Sequence, residues 1–266
     1  MPTSSGMLLL LASLTVLAAV VGAATALRVK PSLRVASLPR SLEFYEKALG
    51  MKVLQQDAAC AVLGYGGACT GGLELHAGGA ADGGKRGDAF VGIGVTALEA
   101  SAFVRQSEQF GGKIVRPFDE YGYGASLIPD EDEMVIKPVR YGWVHDPDGN
   151  LVEVTEGPGA GTLRKVILSV LDLEESVAFY TEKLGMTLHR RRSNINSKPK
   201  HASICAFVSA EKTESEGTLL ELVYNYATER LNMGTGFVRL ALAPGAGAGV
   251  ADAVVDPNAY PIVLLP

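Results

Sequence analysis

The segments SLEFYEKALGM, ending at Met51, and SVAFYTEKLGM, ending at Met186, are nearly the same stretch written twice. An internal repeat constrains a fold more than any local propensity, because each copy must form the same supersecondary unit and bury its apolar face against another. Lys30 and Lys165, Leu33 and Leu168, Val35 and Val170, Phe44 and Phe179, and Gly50 and Gly185 all stand 135 residues apart. Farther on, Glu74 and Glu221, and Gly92 and Arg239, stand 147 apart. The twelve residues gained fall in HRRRSNINSKPKHAS, a polar stretch that reads as an extended exposed loop. DPDGNLVEV (146–154) then faces DPNAYPIVL (256–264) at an offset of only 110, so the second copy has lost 37 residues near its end.

Within each copy the pattern is strand, helix, strands. LRVKPSLRV is strand-like, and LPRSLEFYEKALG sets Leu38, Leu42, Tyr45 and Leu49 at helical spacing before a glycine that can end the helix. CAVLGY and GGLELHA read as a hairpin. A second unit follows: strand FVGIGVTAL, helix EASAFVRQSEQFGG, strand KIVRPF, then strands up to NLVEVTE. The expectation is an α+β chain of four βαβββ modules in two tandem domains, 27–157 and a shortened 158–266, with the boundary in EGPGAGT. The fourth module has no room for its helix. PDEDE (129–133) is an acidic insertion that reads as a solvated turn.

Composition narrows the function. The apolar share of 47% supports real cores. A net charge of −5 supplies no excess of Lys and Arg to neutralise phosphates, which argues against a nucleic-acid partner. Met7 to Ala26 is an uncharged apolar run ending in Ala24-Thr25-Ala26, the pattern of a signal peptide (1–26) cleaved before Leu27. The run is also long enough to anchor in a bilayer, but the strand starting at Leu27 leaves no linker to clear a lipid surface. With the signal cleaved, no stable membrane span remains. The address is then the secretory pathway or the exterior, or a plastid if the source is a complex-plastid alga. Cys60, Cys69 and Cys205 are too few and too uneven for a disulfide framework. Buried inert thiols are expected at Cys60 and Cys205, with a local Cys60–Cys69 bridge as the alternative.

LRVASLPRSLEFYEKALGMKVL, LELHAGG, HDPDGNLVEVTEG, LSVLDLEESVAFYTEKLGM and LLELVYNYATERLNMGTGF, in this order, resemble glyoxalase I (lactoylglutathione lyase) of the two-domain plant and algal type. That family lies in the vicinal oxygen chelate (VOC) superfamily. The resemblance implies cupped sheets that bind a divalent ion, Zn or Ni, through His or Gln, Glu, His and Glu. It further implies glutathione as co-substrate, isomerisation of the glutathione–methylglyoxal hemithioacetal, and proton transfer by a Glu through an enediolate. Such chemistry needs a Lewis-acidic ion to hold oxyanion charge while a carboxylate shuttles the proton.

The family's ligand positions fall on Lys30, Glu74, Gly92 and Glu153 in the first copy, and on Lys165, Glu221, Arg239 and Val263 in the second. Only Glu74, Glu153 and Glu221 can ligate, since an ammonium or guanidinium brings charge and no lone pair to an ion. The resemblance groups Lys30, Glu74, Arg239 and Val263 in an outer cavity, and Gly92, Glu153, Lys165 and Glu221 in an inner one. Lys and Glu at these places are expected to pair and fill the ion's electrostatic role. Alternatively, Lys165 stabilises an enediolate while Glu153 or Glu221 moves the proton. Glu74 and His76, two apart on a strand, face one side and offer two donors of a displaced metal site; otherwise His76 is a solvated hairpin residue. His145, His189 and His201 lie outside the ligand positions, which argues against an extradiol dioxygenase of the same superfamily. Arg34 and Asn225 match family residues that meet the glutathione ligand. Two functions stay open: a lactoylglutathione lyase-like enzyme with degraded metal sites, or a non-catalytic VOC-fold protein that binds a small molecule or docks on a protein partner.

Overall fold

The computed structural model describes residues 29–66, 71–78, 86–127, 135–157, 161–193, 202–226, 228–242 and 253–265. The N-terminal apolar run, Cys69, His201, the PDEDE insertion and the connection where the fourth module would need its helix lie outside the described residues.

The repeat folds as four β-rich modules. The first comprises β1 (Val29–Val35), α1 (Leu38–Glu43), β2 (Lys52–Gln56), β3 (Cys60–Gly64) and β4 (Gly72–Ala77). The second has β5 (Phe90–Ala97), α2 (Ala100–Gln106), β6 (Lys113–Leu127), β7 (Val135–His145) and β8 (Leu151–Glu156). The third has β9 (Thr162–Val170), α3 (Leu173–Ala178), β10 (Thr187–Ser193), β11 (Ser203–Ser209) and β12 (Leu219–Asn225). The described part of the fourth is β13 (Phe237–Leu242), β14 (Ala253–Val255) and β15 (Pro261–Leu264).

Each repeated helix widens midway into a π turn, Phe44–Ala48 after α1 and Phe179–Lys183 after α3. The wider turn sets Phe44 edge-on to Tyr45, and Phe179 edge-on to Tyr180, with all four rings buried. Gly50 and Gly185 follow at φ 68° and 65°, the left-handed geometry that ends a helix and that glycine adopts without strain. Both buried tyrosines are anchored alike. The Tyr45 hydroxyl donates to Asp146 at 2.7 Å, and the Tyr180 hydroxyl to Asp256 at 3.1 Å. The DPDGN and DPNAY turns therefore lock each repeated helix to the end of the module that follows it.

Modules one and four form a seven-stranded open sheet, in the order β14-β15-β13-β1-β4-β3-β2. Modules two and three form a closed eight-stranded barrel, β10-β11-β12-β9-β5-β8-β7-β6. The two inner modules meet where β5 runs antiparallel to β9, the two outer ones where β1 runs antiparallel to β13. The main core of buried apolar side chains reaches from Val29 to Ile262, with smaller clusters at Leu54 and Val62 and at Cys205, Phe207 and Leu219. Among the described residues no helix is long and apolar enough to cross a membrane.

One sequence expectation is overturned here. HRRRS is not exposed loop: it forms the end of β10, where Arg191, Arg192 and Ser193 pair with Leu127, Ser126 and Ala125 of β6 and so close the barrel. Polar composition concealed a strand, because Arg192 meets the buried Glu221 and Arg190 lies over the buried Phe207 ring. The Arg190 guanidinium lies 3.6 Å from the Phe207 ring centre and also donates to Glu214 at 2.9 Å.

Candidate functional site

Inside the barrel, strand alternation brings Glu153 of β8, Lys165 of β9, Glu221 of β12 and Arg192 of β10 to one interior face. Lys165 Nζ lies 2.8 Å from Glu153 Oε1 and 2.5 Å from Glu221 Oε2. Arg192 donates to the other Glu221 oxygen at 2.8 Å, and the Trp143 indole N–H donates to Glu153 at 3.2 Å. Of the inner grouping implied by the resemblance, Glu153, Lys165 and Glu221 are brought together, with Lys165 bridging the two carboxylates, whereas Gly92 pairs with Leu151 and Ile167. Burial alone would push the Glu221 carboxyl up, but Lys165 and Arg192 outweigh it and hold the group down at about 2. Burial likewise opposes charge on Lys165, and Glu153 and Glu221 reverse that, raising its proton affinity. Cys205 is buried against Glu221, which together with desolvation pushes its thiol up to about 12, so it is inert as expected.

The ligand position at Gly92 is closed to any side chain. A Cβ there would stand 2.1 Å from the Leu151 carbonyl oxygen. Gly94, which the repeat did not single out, pairs with both Lys165 and Glu153 across the neighbouring strands. A Cβ at Gly94 would meet Lys165 Cγ at 2.4 Å, so this glycine makes room for the lysine stem. Arg192, Trp143 and Gly94 are the participants that the sequence reading missed. Their one signal was spacing: Gly94 lies two residues from Gly92, and Arg192 is the third of three arginines.

On the open sheet, Lys30, Ser32 and Arg34 of β1 share a face with Glu74 and His76 of β4. Lys30 Nζ lies 3.4 Å and Arg239 Nη2 3.1 Å from Glu74, and the Ser32 hydroxyl donates a short bond to the same carboxylate. Burial would raise the Glu74 carboxyl, but Ser32, Lys30 and Arg239 hold it at about 2. Val263 of β15 pairs with Ala241 and offers no donor. Cys60 is not fully buried: its register partner across β3 and β4 is His76, and its Sγ lies 3.9 Å from Glu74. His76 is no solvated hairpin residue either, for its Nε2 is shielded and lies 3.3 Å from Glu74. Arg34 is exposed and donates to the backbone oxygen of Thr235 at 2.8 Å, and Asn225 ends β12 opposite Ser203. A separate cleft of about 410 Å³ lies beside α3, lined by Leu171, Leu173, Arg191, Arg192, Ile204 and Tyr224, and shares only Arg192 with these clusters.

The chain matches the sequence profile of the Glyoxalase/Bleomycin resistance protein/Dioxygenase superfamily over residues 25–154 and 162–250. It belongs to that superfamily. A lactoylglutathione lyase of Arabidopsis thaliana is 27% identical over 217 residues, covering 79% of this chain and 70% of the relative. A rice lactoylglutathione lyase is 28% identical over 221 residues, covering 79% and 69%. The crystal structure of maize glyoxalase I superposes with a TM-score of 0.70 at 23% identity, covering 90% of this chain and 92% of that one, which establishes the shared two-domain glyoxalase fold.

The residues at the glyoxalase ligand positions do not fit that family's ion. In the barrel an ammonium stands between the two carboxylates that would ligate, and the fourth position admits no side chain. On the open sheet a single carboxylate is held by two cations, and the remaining position is a valine.

Proposed function

We propose that this protein keeps the lactoylglutathione lyase scaffold to bind a glutathione adduct, or another small anionic ligand, and does not run metal-assisted isomerisation. The observation that carries this reading is the bridge of Lys165 Nζ between Glu153 and Glu221. Enediolate chemistry needs a cation free to meet developing oxyanion charge and a carboxylate able to take a proton. Here the barrel's two cations, Lys165 and Arg192, are already balanced by Glu153 and Glu221, and a Glu221 held at about 2 is a weak base. The ligand is assigned to the open sheet, where among the described residues Lys30 and Arg239 share the single carboxylate of Glu74 and leave one positive charge over. Arg34 adds a further cation on that face.

A second reading is a slow, metal-free lyase acting through Lys165, with Glu153 moving the proton. It is favoured by the lysine's stabilised charge and by the lighter hold on Glu153, which is bound by Lys165 and Trp143 and is more open than Glu221. Hemithioacetal turnover, measured with and without added zinc or nickel, separates the two. The expected result is no turnover above background, together with saturable binding of an S-alkyl glutathione that Lys30→Ala weakens. Turnover that Glu153→Gln abolishes would establish the second reading; neither turnover nor binding would leave docking on a protein partner.

Residues 1–26 we assign as a signal that delivers the chain to the secretory pathway or, in a complex-plastid alga, to the plastid. A plastid destination suits a glutathione ligand best, because reduced glutathione is plentiful there and scarce outside cells. The N-terminal residue of the protein isolated from its source, expected to be Leu27, tests the cleavage.

A further inference from the structure

We infer that Cys60, Glu74 and His76 form a binding site for a zinc-class divalent ion on the open sheet, with a donor set different from the one the glyoxalase family uses. Glu74 is the only family position among them. His76 lies two residues along β4, on the same face, and Cys60 is brought opposite His76 by the antiparallel β3–β4 register. One donor atom from each lies within 4.8 Å of the others. The separation of 3.3 Å from His76 Nε2 to Glu74 Oε2 is close to that between ligands around a tetrahedral zinc, and Cys60 Sγ lies 3.9 Å from the other oxygen of the same carboxylate, Oε1. Bonds of about 2.0–2.3 Å at tetrahedral angles put donors roughly 3.3–3.8 Å apart.

A second observation points the same way. His76 Nε2 is shielded from solvent and lies 3.3 Å from Glu74 Oε2, within ion-pair distance but without hydrogen-bond alignment. A shielded ring nitrogen with so poorly aligned a partner is costly, and a metal bond shared with Glu74 would satisfy both groups. Thiolate, imidazole and carboxylate together select a borderline ion such as Zn²⁺ over Mg²⁺ or Ca²⁺. On binding, the Cys60 thiol gives its proton to solvent as the sulfur–metal bond forms. Three protein donors leave the fourth position open, as in sites that take a ligand rather than sites that only hold structure. Lys30 and Arg239 oppose the ion through Glu74, so the wild-type site is weaker than the donors alone would make it.

The test is a cobalt(II) titration of the full chain under reducing conditions. One ion per chain is expected, with a near-ultraviolet sulfur-to-cobalt charge-transfer band and visible bands of tetrahedral intensity, all removed by one equivalent of zinc. Cys60→Ser should abolish the near-ultraviolet band, His76→Gln should weaken binding at least ten-fold, and Arg239→Gln should tighten it several-fold. Because a variant can misfold, zinc protection of Cys60 against alkylation, mapped by peptide mass, reads the same site in the wild type. No charge-transfer band, or alkylation of Cys60 unaffected by zinc, would overturn the assignment. So would a band that survives Cys60→Ser and disappears with Cys205→Ser. None of these outcomes depends on the Lys165 bridge or on hemithioacetal turnover, so this site and the proposed function fail separately.

Discussion

The barrel and the open sheet carry the same Lys–Glu pair at repeated positions and use it differently. In the barrel Lys165 is 2.5 Å from Glu221 and its side chain is 9% exposed. On the sheet Lys30 is 3.4 Å from Glu74 and 16% exposed. The barrel adds Glu153, so that two carboxylates balance Lys165 and Arg192, whereas the sheet has Val263 at the matching place and keeps one cation over. Closure accounts for the difference. Pairing of β10 with β6 seals the barrel and carries Arg192 inward, and a sealed interior tolerates charge only when it is balanced. Among the described residues the open sheet ends at β2 and β14 without closing, so solvent can screen a surplus there.

The comparison breaks first at Lys165. Lys165→Met leaves the buried Glu221 and half-buried Glu153 carboxylates with Arg192 as their remaining cation, and denaturant unfolding should show a loss of about 3–5 kcal/mol. A loss below about 1 kcal/mol would mean that water reaches the barrel interior. Acid unfolding sharpens the same point. Glu74 and Glu221 are held at about 2 against an ordinary value of 4.5, so their stabilisation is complete above pH 4.5 and disappears as pH falls through about 2. Asp146 and Asp256, raised by burial, offset part of that loss as they protonate. In Lys165→Met the acid transition should move to higher pH, and in Lys30→Met it should move less.

Next in size is Gly92→Ala, whose methyl group meets the Leu151 carbonyl and should cost about 1–3 kcal/mol in thermal or denaturant unfolding. Gly92→His, which restores the family's residue type, should cost more and bring no metal binding to the barrel, as metal analysis of the dialysed variant would record. The smallest effect is expected at Lys30→Met. Glu74 keeps Ser32 and Arg239 there, and a partly exposed pair contributes about 1 kcal/mol or less. A cost equal to that of Lys165→Met would erase the distinction between the two cavities.

Much of this was legible along the chain. The repeat offsets matched Lys30 to Lys165 and Glu74 to Glu221, and the family resemblance grouped Lys30 with Glu74 and Arg239, and Lys165 with Glu153 and Glu221; the structure has both groups in contact. The offsets also gave the helix ends at Gly50 and Gly185. The arginines of HRRRS were misread because polar composition in one dimension looks the same whether its charges meet water or a buried carboxylate. Gly94 was passed over because its use lies in a neighbouring strand, under the stem of Lys165.

The sequence by itself determined the modules and the α+β class, since these follow from the repeat and its hydrophobic periodicity. Only the tertiary structure decided that one pair of modules closes while the other stays open, and that Cys60 meets Glu74 and His76. Both depend on strand pairings between distant segments, whose register is set by long-range hydrogen bonding and core packing rather than by any local run of residues.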